Sequence, residues 1–271
     1  GTSVRKPSTR ITWSEDSAEK SGYEHFMLKE IFEEPQTLRN ALMGRIRGGV
    51  PNFNEIEHLR DEIEKARSLT ILACGTSFHA GLVFQRFLQD YTEIRAEVEV
   101  ASEFRYRRLQ EGFSDLVVAI SQSGETADTL EGIRKAKKLG TKIISLTNVV
   151  GSTISRESDA VIYINAGPEI GVAATKTYVA QLAVLLLLGA AIADIAGRSG
   201  FDIPKIVNEL EGMPTVFENT LPTADEQCKR LAAEHSDYKH FMYIGRGYSY
   251  ASALEGALKL KEISYIHASG Y

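Results

Sequence analysis

The residues best equipped for chemistry form one short run, Ser121-Gln122-Ser123-Gly124-Glu125-Thr126, directly after the apolar stretch Leu116-Val117-Val118-Ala119-Ile120. An apolar run of that length reads as a buried parallel strand, and the positions from Ala127 to Leu139 follow a helical pattern. The hydroxyls and the glycine therefore stand where a helix begins, beside unpaired backbone N–H groups and a partial positive charge. That arrangement is a cradle for an anion, and a phosphate suits it. No lysine sits in the run, so it is not the nucleotide P-loop. Ordinary N-capping by Ser and Thr is the competing reading for each hydroxyl.

The pattern recurs. A second apolar run ends at Cys74-Gly75-Thr76-Ser77, again a glycine and hydroxyls before a helical stretch. A third, longer turn, Gly167-Pro168-Glu169-Ile170-Gly171-Val172-Ala173-Ala174-Thr175-Lys176, also leads into a helix. Further on, Lys259 and Glu262 lie three residues apart and so share one helical face. A surface ion pair explains that spacing as readily as a general base beside a cation does. The six histidines form no cluster with Cys or carboxylates at metal-ligand spacing, and no metal or other cofactor is expected. His79 is expected to pack on the helix after the first strand, and His235 and His240 flank a loop.

These loops need a scaffold, and the chain supplies a regular one. Apolar runs near 69–74, 96–100, 116–120, 142–147 and 160–164 alternate with helical patterns near 77–92, 102–109, 127–139, 152–157 and 174–197. Such alternation predicts an α/β fold, a doubly wound parallel five-stranded sheet flanked by helices. In such sheets ligands sit beyond the carboxyl ends of strands where the strand order reverses. Residues 1–22 read as a linker or arm, and residues 23–200 as the main domain with N-terminal helices. Within it Tyr23 to Arg47 is helical in character with a break at Pro35, and a further helix runs from about Phe53 to Ala66. Residues 201–239 read as a helical connection. A new strand at Phe241-Met242-Tyr243-Ile244, then Gly245-Arg246-Gly247 and a helix, starts what reads as a second copy of the domain over 240–271. It is expected to hold a single strand and helix.

Composition sets the remaining bounds. The 271 residues carry 43% hydrophobic and 25% charged side chains, as a globular protein does. A net charge of −5 without a basic block argues against nucleic acid. Two cysteines, Cys74 and Cys228, make no disulfide framework. The longest apolar run, Leu182 to Ala193, is short for a bilayer and reads as a buried helix. With no apolar signal region near the start, a cytoplasmic protein with no membrane partner is expected.

Three segments occur here in one order: Cys74-Gly75-Thr76-Ser77, Ser121 to Thr126, and Glu255-Gly256-Ala257-Leu258-Lys259-Leu260-Lys261-Glu262. Together with His25-Phe26-Met27-Leu28-Lys29-Glu30-Ile31, they resemble the sugar isomerase (SIS) half of the glutamine–fructose-6-phosphate aminotransferase family. The resemblance implies a flavodoxin-like SIS domain followed by the start of a second one. It implies formation of glucosamine 6-phosphate from fructose 6-phosphate, with ammonia drawn from glutamine by a glutaminase domain that precedes this region. By resemblance, Ser77, Ser121, Ser123 and Thr126 hold the phosphate. Thr76 and Gln122 reach sugar hydroxyls, and Val172 offers backbone contacts from the third loop. Ala174 stands where the family often has serine. Glu262 becomes the general base that moves a proton between C1 and C2, suited to it if burial raises its pKa, with Lys259 beside it. Lys176 and Lys261 are expected to solvate or pair. The family's ring-opening histidine and Schiff-base lysine would lie beyond Tyr271, so a fragment without unaided catalysis is expected, as is a homodimer. A sugar-phosphate-sensing SIS domain and another SIS aldose–ketose isomerase or deglycase are the alternatives.

Overall fold

In a computed structural model, residues 19–197 and 202–271 are described. Most of the expected N-terminal linker, and the boundary expected at residue 200, lie outside them. Five strands form one parallel sheet: β3 (Ser68–Ala73), β4 (Arg95–Val100), β5 (Leu116–Ile120), β6 (Lys142–Thr147) and β7 (Ala160–Tyr163). Their spatial order is β4-β3-β5-β6-β7. The chain winds outward from β3 to β4, then returns past β3 to continue the other way, which is the order reversal of a flavodoxin-like sheet.

Period-two burial explains why both faces are covered. In β5, Leu116, Val118 and Ile120 join the larger core while Val117 and Ala119 join the smaller one. Ile71 of β3 faces the first and Leu72 the second. The larger core lies under α4 (Gly75–Tyr91) and α8 (Lys176–Ile195). The smaller lies under α5 (Ala101–Phe104), α6 (Ala127–Lys138) and α7 (Thr153–Glu157). Gly81 lets α4 come close, since a Cβ there would stand 2.7 Å from Val98 Cγ2 and 3.0 Å from Ile71 Cγ2. By length and apolarity α8 passes as a membrane span, yet 67% of its most apolar window is buried. It is the core helix expected from the apolar run.

The structure departs from the sequence reading at several elements. The segment Tyr23–Arg47 breaks at Pro35 as expected, into α1 (Phe26–Phe32) and α2 (Glu34–Leu42), but its end is not helical: Ile46–Arg47 (β1) turns back on Val50–Pro51 (β2). Gly48 and Gly49 have φ of +63° and +77°, the paired positive values that a tight hairpin of this kind demands. The helix expected over 102–109 stops at Phe104. The carbonyls of Phe104 and Arg105 are taken by Lys135 Nζ of α6, at 3.4 and 3.0 Å. The segment expected as helix over 53–66 is a 3₁₀ turn, Asn54–Leu59, leading into α3 (Arg60–Lys65).

After α9 (Ile203–Glu234), the last segment is β8 (His240–Tyr243), α10 (Tyr248–Ser264) and β9 (His267–Gly270). The expectation of a single strand and helix is corrected: β8 and β9 pair in parallel, from His240↔His267 to Tyr243↔Gly270. Four small or polar residues, His-Ala-Ser-Gly, give no apolar run by which to find β9 in sequence. A unit this small cannot bury its own face, and it packs on the main domain, setting Ala251, Ala253 and Ala257 inward where α10 crosses α4.

The arm helices α1 and α2 are locked onto the third loop by carboxylates. Glu30 accepts from the amides of Ile170 (2.5 Å) and Gly171 (3.1 Å), and Lys176 Nζ donates to Glu33 at 2.7 Å. A Cβ on Gly171 would lie 2.5 Å from Glu30 Oε2, so the carboxylate needs glycine there. Glu34 is buried beside Glu169, and burial first, then the Glu169 charge, push its pKa from 4.5 to about 8. The folded chain therefore holds Glu34 protonated at pH values where the unfolded chain has ionised it. That contribution is fully present below about pH 4.5 and is lost as pH rises toward 8. Glu34→Gln should flatten this loss and leave the protein more stable than wild type near pH 8, by on the order of a few kcal/mol. Urea denaturation of both proteins across that range measures it, and parallel profiles would count against it.

Candidate functional site

Beyond the carboxyl ends of β3 and β5, at the order reversal, lies a pocket of about 180 Å³. Thr76 and Ser77 line it from the start of α4, and Ser121, Gln122, Ser123 and Thr126 from the loop before α6. Ala174, Thr177 and Gln181 close it from the α8 side. Six of the seven residues expected to bind substrate are thus brought together. Val172 is not: it is 95% exposed, outside the pocket lining, and its loop reaches the pocket through Ala174 instead.

The hydroxyls do not cap helices. Ser121 Oγ accepts from the Gly124 amide at 3.1 Å and shares a hydrogen bond with Thr126 Oγ1 at 2.9 Å. Ser123 Oγ accepts from the Glu125 amide at 3.2 Å. The first turns of α4 and α6 have no side-chain cap, which rules out the capping reading at both. Their amides stay available to an anion. Gly124 makes the turn with φ +65°, and a Cβ there would stand 2.2 Å from Ser152 Oγ. The loop is tied to itself and packed against its neighbour, which pre-shapes the cradle.

A charged face borders the pocket. On α10, Glu255, Lys259 and Glu262 follow at intervals of four and three residues. Lys259 Nζ stands 3.2 Å from Glu255 Oε1 and 2.7 Å from Glu262 Oε2, and it donates to Thr76 Oγ1 at 2.9 Å. Thr76 in turn donates to Glu255 at 2.9 Å, and His79 Nδ1 meets the other carboxylate oxygen at 2.6 Å. Burial alone would raise the Glu255 pKa. The His79 bond, the Lys259 charge and the Thr76 hydroxyl outweigh burial and hold it below the usual carboxylate range.

Burial falls on Glu255 rather than on Glu262, whose side chain is 37% exposed. Tyr250 and Ile263 of α10 are exposed as well. Thr76, expected at sugar hydroxyls, spends its hydroxyl linking the pocket wall to α10. His79 does more than pack on α4, because it anchors Glu255. Lys176 pairs, as expected, with Glu33. Reading by motif missed Glu255, Thr177 and Gln181. Glu255 shares a helical face with Lys259 and Glu262, and Gln181 is a lone polar residue in an apolar stretch; both were visible signals. Among the described residues no group of three or more His, Cys, Asp or Glu is placed to hold a metal.

Comparison with known proteins fits this geometry. The SIS domain family model matches residues 62–191 and 236–271. The chain is 55% identical over 261 residues to the glutamine–fructose-6-phosphate aminotransferase [isomerizing] of Thermotoga maritima, covering 96% of this chain and 43% of that protein. With the Thermococcus kodakarensis enzyme of the same name it shares 46% over 273 residues, covering 100% of this chain and 44% of the enzyme. The chain thus spans less than half the length of these curated relatives. Among solved structures, the C-terminal domain of glucosamine-fructose-6-phosphate aminotransferase from Francisella tularensis superposes with a TM-score of 0.88 at 40% identity. That match covers 93% of this chain and 71% of the other. A hydroxyl-lined cradle at the switch point of a five-stranded parallel sheet and a family match over both of its segments agree: the chain belongs to the SIS-domain family, in the branch formed by the glutamine–fructose-6-phosphate aminotransferases.

Proposed function

We propose that this chain is the sugar-phosphate-binding isomerase part of a glutamine–fructose-6-phosphate aminotransferase. The observation that carries the reading is the meeting of two hydroxyl loops at uncapped helix starts, with the charged face of α10 on the rim. Ser77, Ser121, Ser123 and Thr126 hold the phosphate of fructose 6-phosphate, and Gln122 turns toward the sugar. Proton transfer between C1 and C2 of the open-chain sugar then needs a base beside a cation. Glu262, at 2.7 Å from Lys259 Nζ, fills that role. The carboxylate–ammonium face is what separates this reading from a sensor that only binds sugar phosphates. In the full-length protein a glutaminase domain supplies ammonia, and glucosamine 6-phosphate is the product.

Calorimetric titration with fructose 6-phosphate and glucosamine 6-phosphate tests the site. Hydrogen bonds to charged groups contribute about 1.5–3 kcal/mol, so Ser121→Ala and Ser123→Ala should each weaken binding by about tenfold or more. Equal affinity in both variants would remove the phosphate cradle. In the full-length enzyme Glu262→Gln should lower kcat by about 10² to 10⁴ with little change in KM, the range for general acid–base groups. A fall in affinity with kcat kept would make Glu262 a binding residue instead. The exposed outer face of α10 also fits a homodimer whose partner subunit covers it. Light scattering at working concentration should then give twice the chain mass, and a monomer mass would count against the pairing.

A further inference from the structure

One buried polar side chain in the pocket has no part in the scheme above. Gln181 lies on α8, a helix whose most apolar window has a mean hydropathy of 2.0. It is 2% exposed and lines the pocket one helical turn beyond Thr177. Its Nε2 donates to Ser77 Oγ at 3.1 Å, while its Oε1 is buried with no partner. An amide in an apolar helix is costly unless its hydrogen bonds are made. Here one N–H is given to a pocket serine, and Oε1 makes no hydrogen bond.

We infer that Gln181 is a positioning residue that sets the direction of the Ser77 hydroxyl proton. A serine hydroxyl has one proton and two lone pairs. The Gln181 N–H occupies a lone pair of Ser77, so it cannot also receive the Ser77 proton. No described protein group accepts that proton. It therefore points to the remaining acceptor, a phosphate oxygen in the cradle. Without Gln181 the hydroxyl rotates freely, and its donation to phosphate is no longer pre-arranged. No charged side chain lines the pocket. The charged groups nearest in bonding are Glu169, through Thr177, and the set of His79, Glu255 and Lys259, through Thr76. Cys74 is the one titratable group in the lining.

The inference rests on the sugar-phosphate reading, and a double-mutant cycle separates the two. Fructose 6-phosphate is titrated into the wild type, Gln181→Leu, Ser77→Ala and the double variant, with thermal unfolding confirming that each folds. Gln181→Leu should bind about tenfold more weakly, and the double variant no more weakly than Ser77→Ala alone, because Gln181 acts through Ser77. Additive losses would overturn the inference while leaving the sugar-phosphate site intact. No binding by the wild type would overturn both. If the leucine variant does not fold, Gln181→Met replaces it in the cycle. Gln181→Glu adds a readout that packing alone does not move. Ionised, its carboxylate takes the Ser77 proton away from the ligand and repels phosphate; protonated, its O–H donates to Ser77 as the amide does. Its affinity relative to wild type should be poor near pH 8 and recover toward pH 5. A ratio that does not change with pH would overturn the inference.

Discussion

Everything at the site depends on the pairing of β3 with both β4 and β5. Because β3 comes first in the chain and lies between β4 and β5, the chain leaves its carboxyl end toward one face and leaves that of β5 toward the other. The helices that follow, α4 and α6, then diverge, and the crevice between their starts is unfilled by side chains. Register keeps the two ends level: Leu72 pairs with Ala119, so Cys74 and Ser121 emerge side by side. Period-two burial on both faces protects this register, since a slip by one residue would exchange the residues of the two cores.

Around that crevice, polar groups are arranged so that few are left without a partner. The loop from Ser121 to Thr126 satisfies its own hydroxyls, and α10 is tied to α4 through Thr76, His79 and Glu255. Glu255 remains ionised although buried because a histidine, an ammonium and a hydroxyl converge on it. Glu34 meets the opposite surroundings, burial beside a second carboxylate, and stays protonated. Two carboxylates of one chain thus take opposite charge states through their neighbours alone. Gln181 Oε1 and Ser152 Oγ, the latter packed against Gly124, are buried without a partner, and Gln181 lines the pocket.

The third loop shows how a distant segment shapes a site it does not touch. Glu30 and Glu33 of the arm hold Ile170, Gly171 and Lys176, and Glu169 holds the Thr175 and Thr177 amides. The start of α8 held in this way carries Thr177, and one turn further Gln181, into the pocket lining. These hydrogen bonds and ion pairs add to the apolar packing of Leu38, Ala41 and Leu42 of α2 in the core that α8 shares.

Much of this was legible in the residues themselves. The five core strands, the break at Pro35, the serine loop and its glycine follow from local rules of apolar patterning, proline and helix starts. Six of seven proposed binding residues met in one pocket because all sit in the turn after a strand, and topology places such turns on one edge. Other features are non-local. That Val172 points to solvent, that Glu255 and not Glu262 is buried, and that β9 pairs with β8 depend on groups distant in sequence. The bond from Gln181 to Ser77 joins residues 104 apart, and no local pattern encodes which side chain will lie opposite. Local sequence settles which elements form and where an anion would be met; the packing of those elements decides the charge, exposure and orientation of each group.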